Sequence, residues 1–202
     1  MNSIEKLAEY FLKFPGIGQR QAKRFVYFLL NQSPAYLAEI SKEISNLKAK
    51  IKLCKKCRRY FNSDIKADLC TICNDEGRDK ELLLVIERDV DLENMERSGA
   101  YNGYYFVLGG SLPVLEKTPE KRIRIKELLT RIEGEEDLSE IIIATGMTTE
   151  GENTLEFLKT VLSPIASKRK IKVSVLGRGL STGTEIEYSD KHTIEEAIKN
   201  RH

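Results

Sequence analysis

Cys54, Cys57, Cys70 and Cys73 are all the cysteines the chain has, and they fall as two C-x2-C pairs with twelve residues between them. A soft dication such as Zn2+ takes four ligands in a tetrahedron, and each C-x2-C turn sets two thiolates on one side of a tight bend. Two such turns on a short connector close the coordination sphere and leave no position for water. The pattern therefore points to one structural Zn2+ per chain rather than a catalytic metal. Two disulfides, or four unrelated buried thiols, are the competing arrangements; regular pairing at this spacing argues against both. A site of four thiolates around a dication carries two net negative charges, and Lys55, Lys56, Arg58 and Arg59 stand close in sequence to compensate them.

What such a site serves depends on its flanks. With 202 residues, the chain has room for one large or two small domains and a real core. Its 41% apolar and 32% charged content fits a globular protein and argues against long disorder. No signal peptide and no apolar run long enough to span a bilayer is present, so a cytoplasmic location without membrane contact is expected. Reducing conditions there favour thiolate–metal bonds over disulfides. Charge is unevenly spread: Lys and Arg outnumber Asp and Glu by 14 to 5 in residues 1–66, and trail them 19 to 26 in the remainder. A basic N-terminal third suits a polyanion, although a solvated, solubilising surface would look the same.

Ile4, Leu7, Ala8, Phe11 and Leu12 recur at helical spacing behind a capping candidate, Ser3. Phe14-Pro15-Gly16-Ile17-Gly18 stops that helix, and Ala22, Phe25, Val26 and Leu29 begin a second. Glycines in the connection let the backbone turn tightly and approach a ligand closely. The second helix then starts with free N–H groups, a seat for phosphate, and Arg20, Lys23 and Arg24 lie within one turn of each other on it. Residues 10–30 resemble the helix-hairpin-helix motif of sequence-independent DNA-binding proteins, in which the Gly-h-Gly hairpin holds the DNA backbone. That resemblance implies DNA-binding roles for Gly16, Gly18, Arg20, Lys23 and Arg24. A hairpin used only for packing or dimerisation is the alternative, and the two uses are compatible.

Ser33-Pro34 reads as an N-cap with proline at the first helical position, and Leu37, Ile40, Ile44, Leu47 and Ile51 continue at helical spacing. An all-helical module over 1–53 is expected, followed by the knuckle over 54–77. Tyr60 and Phe61 in the connector suit packing around a small metal site, or stacking on bases.

After Gly77 the periodicity changes. Leu82–Ile86 is a continuous apolar run, as in a strand buried on both faces of a parallel sheet, and it ends in Glu87. A helical segment closes at Ser98-Gly99; Tyr104–Leu108, Ile141–Ala144 and Ile171–Leu176 read as further strands, with helices over 123–132 and 155–165. This alternation indicates an α/β domain over 78–176, with functional groups gathered at the carboxyl ends of its strands. Glu87 and a Glu150-Gly151-Glu152 loop fall there. Residues 177–202 read as a short strand–helix segment. Its Gly177-Arg178-Gly179 … Gly183 run fits neither a P-loop nor a dinucleotide fingerprint and is expected to be a turn, and His192 and His202 stand in a polar terminal helix.

Helix-hairpin-helix, four-cysteine zinc knuckle and a sheet with Glu after its first strand together resemble a known layout. The α/β part resembles the Toprim domain of topoisomerases and primases, and the whole chain resembles the RecR family of bacterial recombination mediators. The tail from Val175 to Tyr188 is similar to that family's C-terminal segment. The expected fold class is thus α plus α/β multidomain. The resemblance implies a non-catalytic DNA-binding mediator of recombinational repair that works with RecO and RecF to load RecA on single-stranded DNA. It also implies self-assembly into a dimer or tetramer ring.

One departure bears on the chemistry. Catalytic Toprim proteins hold Mg2+ with a Glu and an Asp-x-Asp pair. Glu87 matches the first, but Gly146 and Thr148 stand where the aspartates would fall, and neither supplies a carboxylate. Glu87, Glu150 and Glu152 are therefore expected to form a partner-docking or weak divalent-cation edge. The alternative is a Toprim-type, Mg-dependent phosphoryl-transfer enzyme such as a topoisomerase, primase or nuclease.

Overall fold

A residue without Cβ can hold the left-handed dihedrals that close a short helical hairpin, and Gly16, at φ 76°, does so between the first two helices. The computed structural model describes residues 2–62, 68–177, 191 and 193. The chain divides into two compact units, Met1–Ile51 and Lys52–His202.

In the first unit α1 (Ser3–Phe11) and α2 (Gln19–Leu30) pack through Ala8, Ala22 and Val26, with Ile4, Phe11 and Ile17 against them. Ala22 is wholly buried, so a larger side chain there would force the two helices apart. Phe11 meets Phe14 and Phe25 edge-on, at 5.8 and 5.5 Å between ring centres. The cap of α1 is Asn2 and not the expected Ser3. Asn2 Oδ1 accepts from the Glu5 N–H at 2.9 Å, and Glu5 Oε2 accepts from the Asn2 N–H at 3.0 Å. An acid three residues downstream decides between neighbouring cap-competent residues, and only Asn2 has one. Ser33 caps α3 (Pro34–Lys50), with Pro34 in the first turn as expected. No residue of α3 is buried; Leu37, Ile40, Ile44 and Leu47 form an exposed apolar stripe.

The helical reading to residue 53 overruns. Helix α3 stops at Lys50, and β1 (Ile51–Leu53) pairs with β2 (Tyr60–Asn62) in a two-stranded ribbon. The Cys54 N–H donates to the Arg59 carbonyl at 2.8 Å and closes the turn between them. That bond ends helical geometry ahead of the first cysteine.

The second unit is built on β3 (Asp79–Ile86), β4 (Gly103–Val107), β5 (Glu140–Ala144) and β6 (Lys172–Val175). They form a fully parallel sheet in the order β4-β3-β5-β6. Helix α4 (Asp89–Ser98) closes at Gly99 in the left-handed conformation; α5 (Pro119–Arg122), α6 (Ile125–Gly134) and α7 (Thr149–Arg169) supply the other connections. Strand alternation sorts the core into two layers. Leu83, Val85, Phe106, Ile141 and Ile143 face Leu128 and Ile132 of α6 and Leu155, Leu158 and Leu162 of α7. Leu84, Ile86, Tyr105 and Val107 face Leu92 of α4 and the four cysteines, with Phe61 and Ile72. The knuckle thus takes the place of a second helix on that face. β3 leads to β4 on one side, and the chain then crosses back to β5 on the other. The carboxyl ends of β3 and β5 therefore bound a topological switch point, where such sheets bind ligands.

Glu150-Gly151-Glu152 is the first turn of α7 and not a loop, because Thr148 caps that helix by accepting from the Gly151 N–H at 3.1 Å. Apart from Gly177, Lys191 and Thr193, the C-terminal strand–helix segment lies outside the described residues, and so do the rest of its glycine-rich turn and both histidines. No helix among the described residues is long and apolar enough to cross a membrane.

Candidate metal centre and nucleic-acid interface

Folding brings the sulfurs of Cys54, Cys57, Cys70 and Cys73 within 4.8 Å of one another. Tetrahedral Zn–S bonds of about 2.3 Å place sulfurs roughly 3.8 Å apart, so the set fits one ion. The Cys57 and Cys70 sulfurs are 3.5 Å apart, far beyond a disulfide bond, and all four thiols are free and buried. Hydrogen bonding from Cys57, then from Cys70 and Cys73, pulls the Cys54 thiol far down, and the same bond to Cys54 pushes Cys57 far up. Four like groups this close cannot all ionise unaided, and a dication resolves the conflict.

The first cysteine turn is held by the α/β body at three successive carbonyls. Lys56 O accepts from Arg131 Nη1 at 3.1 Å, Cys57 O from the Val107 N–H at 2.8 Å, and Arg58 O from Arg124 Nη1 at 2.8 Å. Arg131 and Arg124 also donate to Tyr105 O and Val107 O of β4. The sequence reading missed these arginines, since no local pattern marks a contact spanning 66 or 75 residues. Of the cations expected to offset the thiolates, Lys55 pairs with Asp68 at 2.5 Å and Lys56 with Glu135 at 3.1 Å. Phe61 is buried beside the cysteines, whereas Tyr60 is exposed.

In the first unit Gly18 caps α2 and has no side chain to satisfy the helix's leading N–H groups. Arg20, Lys23 and Arg24 are all exposed, and their spacing puts them on one face of the helix. Arg24 Nη1 makes one weak bond, to Gln21 Oε1 at 3.4 Å.

At the switch point Glu87 follows the last residue of β3 and is only 5% exposed. Burial pushes its carboxyl above the usual range; a bond from the Gly146 N–H pulls partly back. Its Oε1 is buried with no hydrogen-bond partner among the described residues. Gly146 offers only backbone, and the Thr148 hydroxyl is engaged as the α7 cap. Glu150 Oε2 accepts from Ser111 Oγ at 3.1 Å, and Glu152 shares its helical turn. Glu150 is near enough to raise the Glu87 carboxyl further, and among the described residues no third acidic group joins them in a cluster able to hold a metal ion.

Residues 81–177 match the Toprim domain family. Over 198 residues the chain is 36% identical to recombination protein RecR of Dehalococcoides mccartyi, covering 98% of this chain and 93% of that protein. Recombination protein RecR of Streptococcus mutans is 36% identical over 198 residues, 98% and 96% of the two chains. That of Limosilactobacillus fermentum is 34% identical over the same shares. The chain belongs to the RecR family. Because the RecR match runs nearly end to end, it takes in the helical unit and the knuckle, which the Toprim match leaves out.

Proposed function

We propose that this RecR-family chain is a non-catalytic, DNA-binding recombination mediator in DNA repair. The near-full-length match to proteins named recombination protein RecR carries the reading. In it, Cys54, Cys57, Cys70 and Cys73 hold a structural Zn2+, which when bound neutralises the thiolates and fixes the knuckle. Gly16 and Gly18 present the α2 N–H groups to a DNA backbone, and Arg20, Lys23 and Arg24 neutralise flanking phosphates. Such contacts are indifferent to base sequence and weaken steeply with salt.

Partnership with RecO and RecF, RecA loading on single-stranded DNA, and ring assembly belong to the same reading. The exposed stripe Leu37, Ile40, Ile44 and Leu47 supports self-association of the helical unit, since apolar contiguity of that kind marks an interaction surface. The Glu87, Glu150 and Glu152 edge supports docking of a basic partner over metal catalysis, because Glu87 is desolvated and Thr148 is committed to capping.

The test is Arg20→Glu with Arg24→Glu, assayed for binding to single-stranded and duplex DNA alongside zinc content and thermal midpoint. Binding should disappear with fold and zinc intact. Unchanged affinity rejects the hairpin interface, and Mg-dependent nicking or primer synthesis lost in Glu87→Gln rejects the non-catalytic reading.

A further inference from the structure

A second basic feature lies in the other unit, away from the hairpin in sequence. The first cysteine turn and α6 enclose a groove of about 400 Å3 whose lining carries Lys55, Lys56, Arg58, Lys126 and Arg131 against the carboxylates of Glu127 and Glu135. Part of this excess is spoken for. Lys55 meets Asp68, and Lys56 and the Arg131 Nε both lie 3.1 Å from Glu135 Oε1. Arg58 and Lys126 have no carboxylate partner among the described residues.

Two guanidinium nitrogens of the lining residues are buried with no hydrogen-bond partner among the described residues: Arg58 Nε and Arg131 Nη2. Arg131 itself is only 9% exposed. A buried N–H on a charged group is costly to leave unsatisfied, and two in residues of one groove call for an acceptor that enters it. The backbone adds an independent observation. Arg58 holds the left-handed conformation, φ 60°, immediately after the second cysteine of the pair. Glycine takes that conformation without steric penalty, so arginine there is a strained choice for a turn. Strain of this kind is kept where the side chain has work to do.

We propose that this groove binds phosphates of a nucleic-acid backbone, with Arg58 as a forked donor, Arg131 as a single donor through Nη2 and Lys126 as the charge at its rim. Guanidinium groups match phosphate oxygens in pairs, and a buried anion would satisfy the orphaned donors. The lining carries a single large apolar side chain, Leu69, so it offers an amphipathic peptide no apolar pocket. The proposal rests on the DNA-binding reading above and adds a second track in the α/β unit, so that a strand is held at two places on one chain.

The test uses full-length, zinc-loaded protein and compares Arg58→Gly with Lys126→Ser, singly and together, and with Arg20→Glu/Arg24→Glu. A fluorescent single-stranded oligonucleotide is titrated at several salt concentrations. Arg58→Gly relieves the backbone, so its thermal midpoint should stay level or rise while its zinc content stays at one. The double groove variant should bind roughly tenfold more weakly, and its slope of log affinity on log salt should shrink by about 0.7 for each phosphate of the single strand that is no longer neutralised. If the groove variant keeps wild-type affinity and slope while the hairpin variant loses binding, the groove proposal falls and the DNA reading stands. If neither variant changes binding, both fall. A site for free phosphate only, seen as a midpoint raised by inorganic phosphate with DNA affinity unaltered in Arg58→Gly, also overturns it.

Discussion

Arg124 Nη1 donates to the carbonyl oxygen of Arg58 at 2.8 Å and to that of Val107 at 3.1 Å, so one guanidinium joins the first cysteine turn to the edge strand β4 of the sheet. The adjacent carbonyl, that of Cys57, takes the Val107 N–H. These bonds hold the backbone on which the Cys57 side chain is mounted. Groups that orient ligands in this way typically change metal affinity 10- to 100-fold when removed. Arg124→Ala should therefore weaken zinc binding about tenfold or more while the sheet still folds, as read by competition with a chromogenic chelator. Wild-type zinc affinity in a folded Arg124→Ala protein would show that the turn is set by the metal alone.

Metal removal should be felt well beyond the knuckle. The four cysteines pack in one cluster with Leu84, Ile86, Tyr105 and Val107, so losing the ion loosens one face of the sheet. Metal binding at structural sites contributes directly to folding free energy. A loss of about 4 kcal/mol would lower the thermal midpoint by roughly 10 °C in a protein of this size. Unfolding scans with and without a strong chelator measure it. Cys70→Ser should reproduce the chelator result, and coincident curves would mean that the thiols pack well enough without an ion.

Much of this arrangement was legible in the sequence. Continuous apolar runs such as Leu82–Ile86 and Ile141–Ala144 carry their own evidence for burial on both faces, and the cysteine spacing identified the cluster. Boundaries set by single hydrogen bonds were less visible. Asn2 displaced Ser3 because of an acid three residues away, and Thr148 turned an expected loop into the first turn of α7. Least visible were Arg124 and Arg131, whose charged side chains look like solvated helix surface until the fold brings backbone carbonyls to them. Periodicity reports which face of a helix is apolar, not which polar residue will be buried.

Glu87 gives a pH-dependent prediction whose sign follows from its burial. Desolvation raises its carboxyl above the ordinary range, more than the Gly146 N–H lowers it. The folded state therefore holds this proton more tightly than the unfolded state. Its contribution is fully present below the unfolded value, near pH 4, and is lost as pH rises through the raised folded value. Glu87→Gln removes that loss, so the variant should be more stable than wild type at pH 7, with the gap closing towards pH 4. Thermal midpoints across that range give the comparison. A wild type as stable as the variant at neutral pH would indicate that a cation or basic group compensates the carboxylate.

The junction between β5 and α7 has room for nothing larger than glycine at position 151. A Cβ on Gly151 would collide with the Gly146 carbonyl oxygen and lie 2.8 Å from its carbon. The Gly146 backbone is also bonded to Glu87, so it is not free to retreat. Gly151→Ala should therefore push the start of α7 off the turn, at a cost of about 1–3 kcal/mol. Gly134, at the end of α6, is the internal control: a Cβ there meets nothing within 4 Å, and its φ is not in the left-handed region. Gly134→Ala should be neutral or slightly stabilising, since alanine loses less backbone entropy in a helix than glycine. Denaturant midpoints of the two variants separate steric exclusion from a general intolerance of glycine replacement. Equal midpoints would mean that the 146–151 contact yields at no cost, and that the switch point is softer than its packing indicates.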